Sequence, residues 1–364
     1  MRVLMVLGHS TGGIGAHVGD LVAGLRDTGH EVVVVTAAST AEALGWTDAR
    51  RLWPVHRGLR APRGLFDWHR IMRLASGADV VHAHGHQAAV VAAVAVARAR
   101  PRPRLVVSLH NDLPPGARRR ARDLVGWALR RADLVTGASP DLVDLARALG
   151  ARRVEAADVP SPRTASLLTA DALGDRERTE LLASAGVPPD RPVVLTVSRI
   201  APQKQLDTLV EAAAVSAEPA TWVVVGDGDA GLRAGLAARA ASAAAPVHLV
   251  GARSDVELWL RAADVFVLAS RWEARALVVQ EAMAAALPVV VPRTGGLPGL
   301  VRDAGVLVPV GDADALAEQV DRLLADPGSR HALGLAARVE AGGWATPEDE
   351  ARRWGERYTE LLRG

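Results

Sequence analysis

Two cations, Arg199 and Lys204, lie in a short polar segment that directly follows an apolar run of strand length, residues 192–197. Lys204 is the one lysine of the chain, whose other 42 basic residues are all arginine. Because two cations at the carboxyl end of a strand can bind a diphosphate and neutralise charge on a departing one, this segment predicts an anion site. A solvated loop with ordinary surface cations is the alternative.

Two glutamates eight residues apart, Glu273 and Glu281, form the second candidate group. Glu281 falls in an apolar helical pattern, and Glu273 lies in the loop before it. A carboxylate near a helix start can accept hydrogen bonds from sugar hydroxyls, and a glutamate among apolar residues costs free energy unless it has a partner. The pair therefore favours a ligand that carries hydroxyl groups. An ordinary acid near a helix N-terminus, favoured by the helix dipole, is the alternative.

Two glycine-bearing turns follow apolar runs, one at residues 226–229 with the sequence GDGD and one at residues 10–15 with the sequence STGGIG. Glycine permits a tight turn and close backbone approach, and the helix start that follows can hold a phosphate. GDGD also resembles a metal-binding DxD, although its glycines already explain a turn. The front loop lacks the full G-x-G-x-x-G spacing, and Thr36 stands where an acidic residue would end the next strand, which disfavours a nicotinamide dinucleotide.

Histidines end two apolar runs in the front half. His82, His84 and His86 alternate, which fits either a metal site or the simple continuation of a strand, and no acidic partner lies near them in the sequence. His110 follows another apolar run and is a candidate donor near a reacting sugar. A hydrogen-bonded histidine at a strand end is the alternative.

The elements that position these residues follow from the hydrophobic pattern. Apolar runs alternate with helix-length segments, which indicates parallel sheets covered by helices. The sequence predicts an α/β fold of two doubly wound Rossmann-like domains that face a central cleft, residues 1–165 and 191–346, joined by a linker at 166–190. Ligands in such folds bind at the carboxyl ends of strands. The predicted strands are residues 3–7, 31–36, 80–84, 105–109, 134–138 and 153–156, then 192–197, 222–225, 247–250, 265–268, 288–291 and 306–308.

Composition excludes several classes of protein. The 364 residues are 49% hydrophobic and 23% charged, which allows sizeable cores and excludes wholesale disorder. The absence of cysteine excludes disulfides, zinc-thiolate and iron–sulfur sites, and a cysteine nucleophile. The longest apolar run, residues 88–97, is shorter than the ~20 residues of a membrane span. The opening residues are typical of a strand rather than of a secretory signal, so we expect a cytoplasmic location.

Charge is unevenly distributed along the chain. Residues 1–165 contain 23 Arg and 14 acidic residues, whereas the remainder contains 20 basic and 27 acidic residues. Basic stretches with aromatic residues run over 50–73 and 114–131. Such segments can lie on anionic lipid, each cation adding ~1 kcal/mol, and a solvated charged face is the alternative. Peripheral contact with the inner face of the membrane is therefore one hypothesis, and no nucleic-acid partner is expected.

In this order along the chain, the motifs resemble those of family 4 glycosyltransferases with the GT-B fold. Together these motifs cover nearly all of the chain. They are the glycine loop with GGIGAHVGDLVAGLRDTGHEVVVVT, the strand ends ADVVHAHGHQAAV and LVVSLHND, then VSRIAPQKQLDTLVEA, VVVGDGD, and HLVGARSDVELWLRAADVFVLAS with the two glutamates. The resemblance implies an enzyme of hexosyltransferase type that transfers a sugar from a nucleotide-diphosphate sugar with retention. It implies neither a cofactor nor a divalent metal. The acceptor is left open, a lipid-linked or cell-envelope glycan being one alternative.

The same resemblance assigns roles to residues. Arg199 and Lys204 would hold the diphosphate, Glu281 the nucleoside ribose and Glu273 the donor sugar, while His110 would lean toward that sugar. The implied catalytic residues are His110, Arg199, Lys204 and Glu273. The implied donor-binding residues are Gly12, Gly13, Arg199, Lys204, Gly226, Gly251, Arg253, Glu273, Ala276, Leu277 and Glu281. The last helix, about residues 347–364, is similar to those that pack back on the first domain.

The chain departs from the family pattern at three places. After Glu273 it has Ala274-Arg275-Ala276 in place of a glycine, a bulky residue and a small one. Arg275 would either clash with the sugar or bind a charged sugar or a charged acceptor. Residues 158–162 replace the usual Asn-Gly, and Gln205 stands where glycine is common. Two alternatives therefore stay open: a catalytically degenerate nucleotide-sugar-binding module and a nucleotide-sugar epimerase.

Overall fold

The computed structural model of the protein describes residues 1–10, 12–53, 62–113 and 119–364, and of residues 62–65 it describes only the backbone. The chain forms two compact α/β units. The first comprises Met1–Pro162 and Ala345–Gly364, and the second comprises Arg163–Trp344. Within the described ranges, every helix is too short or too polar to cross a membrane.

The first unit is built on a parallel sheet of seven strands in the order β3-β2-β1-β4-β5-β6-β7. Its central strands are buried along nearly their whole length, as expected for strands covered by helices on both faces. The strands are β1 (Arg2–Leu7), β2 (Glu31–Thr36), β3 (Arg50–Arg51), β4 (Val80–His84), β5 (Arg104–Leu109), β6 (Leu134–Gly137) and β7 (Val154–Ala156). The helices are α1 (Gly13–Asp27), α2 (Ala38–Ala43), α3 (Pro62–Ser76), α4 (His86–Arg98), α5 (Arg119–Leu129), α6 (Pro140–Ala148) and the last helix of the chain, α16 (Pro347–Arg363).

Helix α16 completes the core of the first unit. Thr346 and Asp349 form a capping box, in which the Thr346 hydroxyl accepts from the Asp349 N–H at 3.1 Å and the Asp349 carboxylate accepts from the Thr346 N–H at 3.2 Å. The buried side chains of Trp354 and Tyr358 then join the same apolar cluster as α1 and the strands beneath it. Gly24 lets α1 and α16 approach closely, because a Cβ there would meet the Cβ of Ala351 at 2.5 Å.

Glu350 is a buried carboxyl group on α16, with 1% of its surface exposed. Its Oε1 accepts a hydrogen bond from Arg357 Nη1 at 3.0 Å, and its Oε2 lies 3.8 Å from Arg353 Nη1. Burial raises the pKa of Glu350 to about 7, because the loss of hydration outweighs the attraction of Arg357. The group is therefore a source of pH-dependent stability.

Replacing Glu350 with glutamine is expected to remove that pH dependence. A carboxyl group whose pKa is higher in the folded state stabilises it fully below the unfolded-state pKa, and this contribution is lost as pH rises through about 7. Relative to the glutamine variant, the free energy of unfolding of the wild type should fall by up to ~1.4 kcal/mol per pH unit between about pH 4.5 and about pH 7. Urea unfolding at about pH 5 and about pH 8 measures the difference. The exposed Glu348→Gln variant is the control, and an equal response of both variants would contradict the prediction.

The second unit contains a parallel sheet of six strands in the order β10-β9-β8-β11-β12-β13. Buried side chains cover both faces of this sheet in two apolar clusters. The strands are β8 (Val193–Val197), β9 (Thr221–Val225), β10 (Val247–Gly251), β11 (Val265–Val267), β12 (Val289–Pro292) and β13 (Val306–Val308). The helices are α7 (Thr164–Thr169), α8 (Asp175–Ser184), α9 (Leu206–Val215), α10 (Ala230–Ser242), α11 (Val256–Ala262), α12 (Leu277–Ala284), α13 (Leu297–Val301), α14 (Ala313–Ala325) and α15 (Pro327–Gly342).

Two sequence predictions differ from this fold. Residues 166–190, expected to be a linker, belong to the second unit, because Leu167, Leu182 and Val187 are buried in its core. The edge strand β3 was not predicted, since its two residues are both arginine and carry no apolar pattern. The other twelve strands coincide with the predicted runs to within a residue or two at each end.

Candidate active site

The segment that follows β8 is held against the turn that follows β9. The N–H of Ser198 donates to Val225 O, and the N–H of Ile200 donates to Asp227 O, both at 2.9 Å. Pro202–Lys204 then forms a short 3-10 helix, and Gln205 adopts a left-handed conformation with φ 45° before α9 begins. A glycine at that position would adopt the same backbone without strain, so the glutamine keeps the turn at some cost.

Lys204 and Glu273 meet within the second unit. Lys204 Nζ lies 2.5 Å from Glu273 Oε1, and only 15% and 11% of the two side chains are exposed. The loop after β11 is joined to the β8 segment by two further hydrogen bonds, from Gln203 Nε2 to Trp272 O and from the Arg271 N–H to Gln203 O, each at 2.8 Å. Two residues that are 69 apart in sequence are therefore fixed side by side.

Arg199 is in the same segment but is not part of this ion pair. Its side chain is exposed, and among the described residues it has no ion pair. Its guanidinium is therefore available to an anion that approaches the turn, at no cost in broken ion pairs.

Glu281 is buried on α12, with 3% of its surface exposed, and its carboxylate is paired with an arginine. Arg163, at the N-cap of α7, donates from Nη1 to Oε1 at 3.2 Å and lies 3.4 Å from Oε2. The cost of burying this glutamate is thus offset within the protein itself, and burial alone no longer argues for a ligand. Sequence reasoning missed Arg163; the signal was that a buried carboxylate requires a cation.

Glycines allow the turns of this site to approach one another. Gly226 has φ 141°, and a Cβ there would overlap the carbonyl oxygen of Ser198. Gly295 has φ 53°, and a Cβ there would likewise overlap the carbonyl oxygen of Glu273. Gly295 was not predicted, although it lies in a double glycine after β12. Gly251 also has a positive φ, 78°, but nothing lies within reach of its Cβ, so it is required by conformation alone.

The acidic residues of GDGD make local backbone contacts. Asp227 Oδ1 accepts from the N–H of Gly228 at 2.8 Å, and Asp229 Oδ1 caps α10 by accepting from the N–H groups of Gly231 and Leu232. Helix capping accounts for Asp229 without a metal. Across the described ranges, no group with metal-ligand spacing includes either aspartate.

The remaining predicted residues of the second unit line the start of two helices. Arg253 is bound through both Nε and Nη2 to Asp255, at 3.0 and 2.8 Å, just before α11. Ala276 is the N-cap of α12 and Leu277 its first residue. The guanidinium of Arg275 lies 5.9 Å from the ring centroid of Trp344, a cation–π contact that the sequence did not predict.

In the first unit, Gly12 is the N-cap of α1 and Gly13 is its first residue. The carbonyl oxygen of Gly12 accepts from the N–H groups of Gly15 and Ala16, which begins the helix directly after the loop. Thr11, in the same loop, lies outside the described residues, as do residues 54–61 and 114–118 of the two basic stretches.

Histidines cluster at the carboxyl ends of β4 and β5. His84 Nδ1 lies 3.0 Å from His110 Nε2, and His17 of α1 packs edge-on against both rings. The His82 ring also packs against that of His84, with centroids 4.1 Å apart, but its two nitrogens contact Tyr358 and Ser108, and His86 Nε2 lies against the carbonyl oxygen of Asn111. For His82, His84 and His86 the sequence left open a metal site or the simple continuation of a strand, and of these three only His84 belongs to the group with metal-ligand spacing among the described residues.

His17, His84 and His110 instead form the group with metal-ligand spacing found among the described residues. All three are buried, and burial lowers the pKa of each, to about 4 for His17 and about 3 for His110. The three imidazoles are therefore neutral near pH 7. Sequence reasoning missed His17 because nothing in the sequence places α1 beside these strand ends.

The two units match two family profiles. The family described as glycosyl transferase 4-like domain matches residues 12–162, and the family described as glycosyl transferases group 1 matches residues 177–340. With two parallel-sheet Rossmann-like units and these matches, the chain belongs to the family 4 glycosyltransferases of the GT-B fold.

Relatives and solved structures agree with that placement. The D-inositol 3-phosphate glycosyltransferase of Streptomyces bingchenggensis is 35% identical over 216 residues, 51% of this chain and 44% of the relative. The GDP-mannose-dependent alpha-mannosyltransferase of Mycobacterium tuberculosis is 35% identical over 177 residues, 48% of this chain and 45% of the relative. The chain thus spans about half the length of the curated relatives it matches. HepE of Anabaena, solved with UDP-glucose, shares the fold with a TM-score of 0.85 at 22% identity, over 99% of this chain and 100% of HepE.

Proposed function

We propose that this protein is a retaining, metal-independent glycosyltransferase that takes a sugar from a nucleotide-diphosphate sugar. The observation that carries the proposal is the ion pair of Lys204 with Glu273, 2.5 Å apart at the carboxyl ends of two neighbouring strands, with the exposed Arg199 in the same turn. Two cations beside a carboxylate are the groups that a diphosphate and a sugar require. The placement at strand ends is the usual ligand position in such sheets.

The ion pair suggests how donor binding prepares the site. Without a ligand, Glu273 neutralises Lys204. A diphosphate that approaches the turn competes for the ammonium and is also bound by Arg199, which frees the Glu273 carboxylate to accept hydrogen bonds from sugar hydroxyls. The charge of the old pair is thus replaced by two new charge-assisted contacts with the donor.

These cations also account for the chemical step. In a dissociative substitution, the departing diphosphate gains negative charge while the sugar becomes oxocarbenium-like. Fixed positive charges at the leaving group therefore stabilise the transition state more than the ground state. Two cations here supply the neutralisation for which other enzymes use a divalent metal, and no carboxylate nucleophile is assigned.

The donor is proposed to be a uridine or guanosine diphosphate sugar. HepE was solved with UDP-glucose, and the mycobacterial relative is described as GDP-mannose-dependent. In this chain, Glu281 would receive the ribose, with Arg163 pairing with its carboxylate and orienting it. The altered segment with Arg275 is the place where the sugar preference of this chain would differ from that of its relatives.

On the acceptor side, we propose a lipid-linked or cell-envelope glycan reached from an anionic membrane surface. The support is the excess of arginine in residues 1–165 and the first turns of α5, where Arg119, Arg120 and Arg122 are exposed beside Leu124, whose side chain is exposed as well. Exposed cations next to an exposed apolar side chain suit a surface that offers both phosphate and hydrocarbon.

A donor screen tests the function. The purified protein is incubated with a panel of UDP- and GDP-sugars, with and without a chelator and with and without anionic vesicles that carry extracted cell-envelope lipids, and mass spectrometry follows the released nucleotide and the product. We expect chelator-insensitive release from at least one donor, faster with the vesicles, and a product that keeps the anomeric configuration. Thermal stabilisation by a donor without turnover would instead support a binding module, and an isomerised donor without acceptor would support an epimerase.

A further inference from the structure

The contact between His84 and His110 is an in-plane hydrogen bond between two imidazoles. His84 ends β4 and His110 directly follows β5, and these two strands are neighbours in the first sheet. The ring planes are within 11° of each other, and Nδ1 of His84 lies 3.0 Å from Nε2 of His110. One of these two nitrogens must carry the shared hydrogen and the other must offer a lone pair.

The surroundings of the other His84 nitrogen, Nε2, decide which of the two facing nitrogens carries the hydrogen. His84 Nε2 lies 3.1 Å from the sulfur of Met5, which is fully buried on β1. A thioether has no hydrogen to donate and is only a weak acceptor, so a lone pair on Nε2 would face a lone pair on sulfur. The hydrogen of His84 is therefore on Nε2, and Nδ1 is the bare, accepting nitrogen.

The same logic then determines which nitrogen of His110 carries the hydrogen. Because His84 Nδ1 accepts, His110 Nε2 must donate, and the hydrogen of the neutral His110 ring is on that atom. Neither ring is doubly protonated near pH 7, because burial lowers the pKa of His110 to about 3 and that of His84 well below 6.5. His110 Nδ1 is left with its lone pair, and it has no hydrogen-bond partner among the described residues.

We propose that His84, anchored by the sulfur of Met5, is a positioning residue that holds His110 in the Nε2–H tautomer, so that His110 offers Nδ1 as a hydrogen-bond acceptor to a hydroxyl group of a sugar ligand. The role in binding rests on the proposed function, whereas the tautomers are properties of the protein alone. In this proposal His110 accepts a hydrogen bond from a hydroxyl group, whereas the sequence analysis suggested a donor near a reacting sugar.

A metal shared with His17 is the competing explanation for the three imidazoles. A metal bound between His84 Nδ1 and His110 Nε2 would have to replace the hydrogen that joins them. The near-coplanar rings aim their nitrogens at each other, as a hydrogen bond requires. Added Zn²⁺ therefore separates the two explanations.

The test reads the tautomers directly by long-range proton–nitrogen NMR of protein labelled with nitrogen-15 in its histidines, assigned with single His→Asn variants. In the wild type, we expect a bare Nδ1 and a protonated Nε2 for His110, unchanged by added Zn²⁺. His84→Leu should give His110 a mixture of tautomers, whereas His84→Asn, whose carbonyl can take the place of Nδ1 as acceptor, should restore the single one. Met5→Leu should loosen the tautomer of His84.

Kinetics provide the second readout, once a donor is known. His84→Leu should lower kcat/KM about tenfold, the size expected for one misplaced hydrogen bond, and His84→Asn should recover most of it. His331→Asn, an exposed position on α15, is the matched control and should change neither the His110 signals nor the kinetics. A protonated Nδ1 in wild-type His110, a zinc-induced shift of both facing nitrogens, or unchanged His110 signals in His84→Leu would each overturn the proposal. An absence of turnover with the expected tautomers would instead count against the proposed function alone.

Discussion

Replacing Lys204 with alanine is expected to lower donor turnover by about 10²- to 10³-fold, the loss typical for one group that stabilises transition-state charge. The ammonium lies 2.5 Å from Glu273 Oε1 at the end of β8, where the departing diphosphate would gain negative charge. An interaction that strengthens as charge develops affects kcat more than KM. Steady-state kinetics with the donor found in the screen measure both constants.

Two further variants make this result interpretable. Lys204→Arg keeps a positive charge and should retain part of the activity, although a planar guanidinium does not reproduce the position of the ammonium. Arg176→Ala removes an exposed cation on α8 that pairs with Glu180, and should leave turnover unchanged. Because Lys204→Ala leaves Glu273 without this cation, its melting temperature is compared with that of the wild type. A variant that folds and turns over at the full rate would show that Lys204 does not bind the leaving group.

Replacing Gly226 with alanine is expected to destabilise the protein by about 2–4 kcal/mol and to abolish donor binding. Gly226 has φ 141°, a conformation essentially reserved for glycine, and a Cβ there would overlap the backbone oxygen of Ser198. The backbone that leads into Arg199 and Lys204 would have to move away from β9. Chemical unfolding measures the loss of stability, and calorimetric titration with the donor measures the loss of affinity.

The chain offers a matched glycine with the opposite expectation. Gly235 lies inside α10, and no atom lies within reach of a Cβ there. Gly235→Ala should therefore stabilise the protein by ~0.5–1 kcal/mol, through helix propensity alone, and leave donor affinity unchanged. If both alanine variants gave the same change in stability, the close approach of the two turns would not be what Gly226 provides.

The sheets could be predicted because buried parallel strands contain runs of consecutive apolar residues. Residues 32–35, all valine, show this for β2, and the runs that became β8 and β9 do so for the second unit. The linker was mispredicted because α7 and α8 are short and polar outside, and their few buried residues, such as Leu167 and Leu182, do not form an apolar run. Burial of isolated side chains depends on tertiary packing, which periodicity does not report.

The candidate site was predictable where chemistry needs a rare residue type in a fixed place. Lys204 stood out as the single lysine, and Glu273 was found from its spacing to Glu281. Arg163 was not predictable, since it is one of 42 arginines and its contact with Glu281 joins residues 118 apart. His17 likewise reaches His84 and His110 only because α1 packs over those strand ends.

The position of α16 in the chain has a consequence for how the protein is made. Residues 163–344 are synthesised after most of the first unit and before the helix that carries Trp354 and Tyr358 into its core. On the ribosome, the first sheet and α1 therefore wait with part of their apolar cluster uncovered while the entire second unit emerges. A fragment that ends at Pro162 would keep those apolar side chains exposed permanently, so we expect it to aggregate. A chain in which a short linker replaces residues 163–344 keeps α16 and should not aggregate.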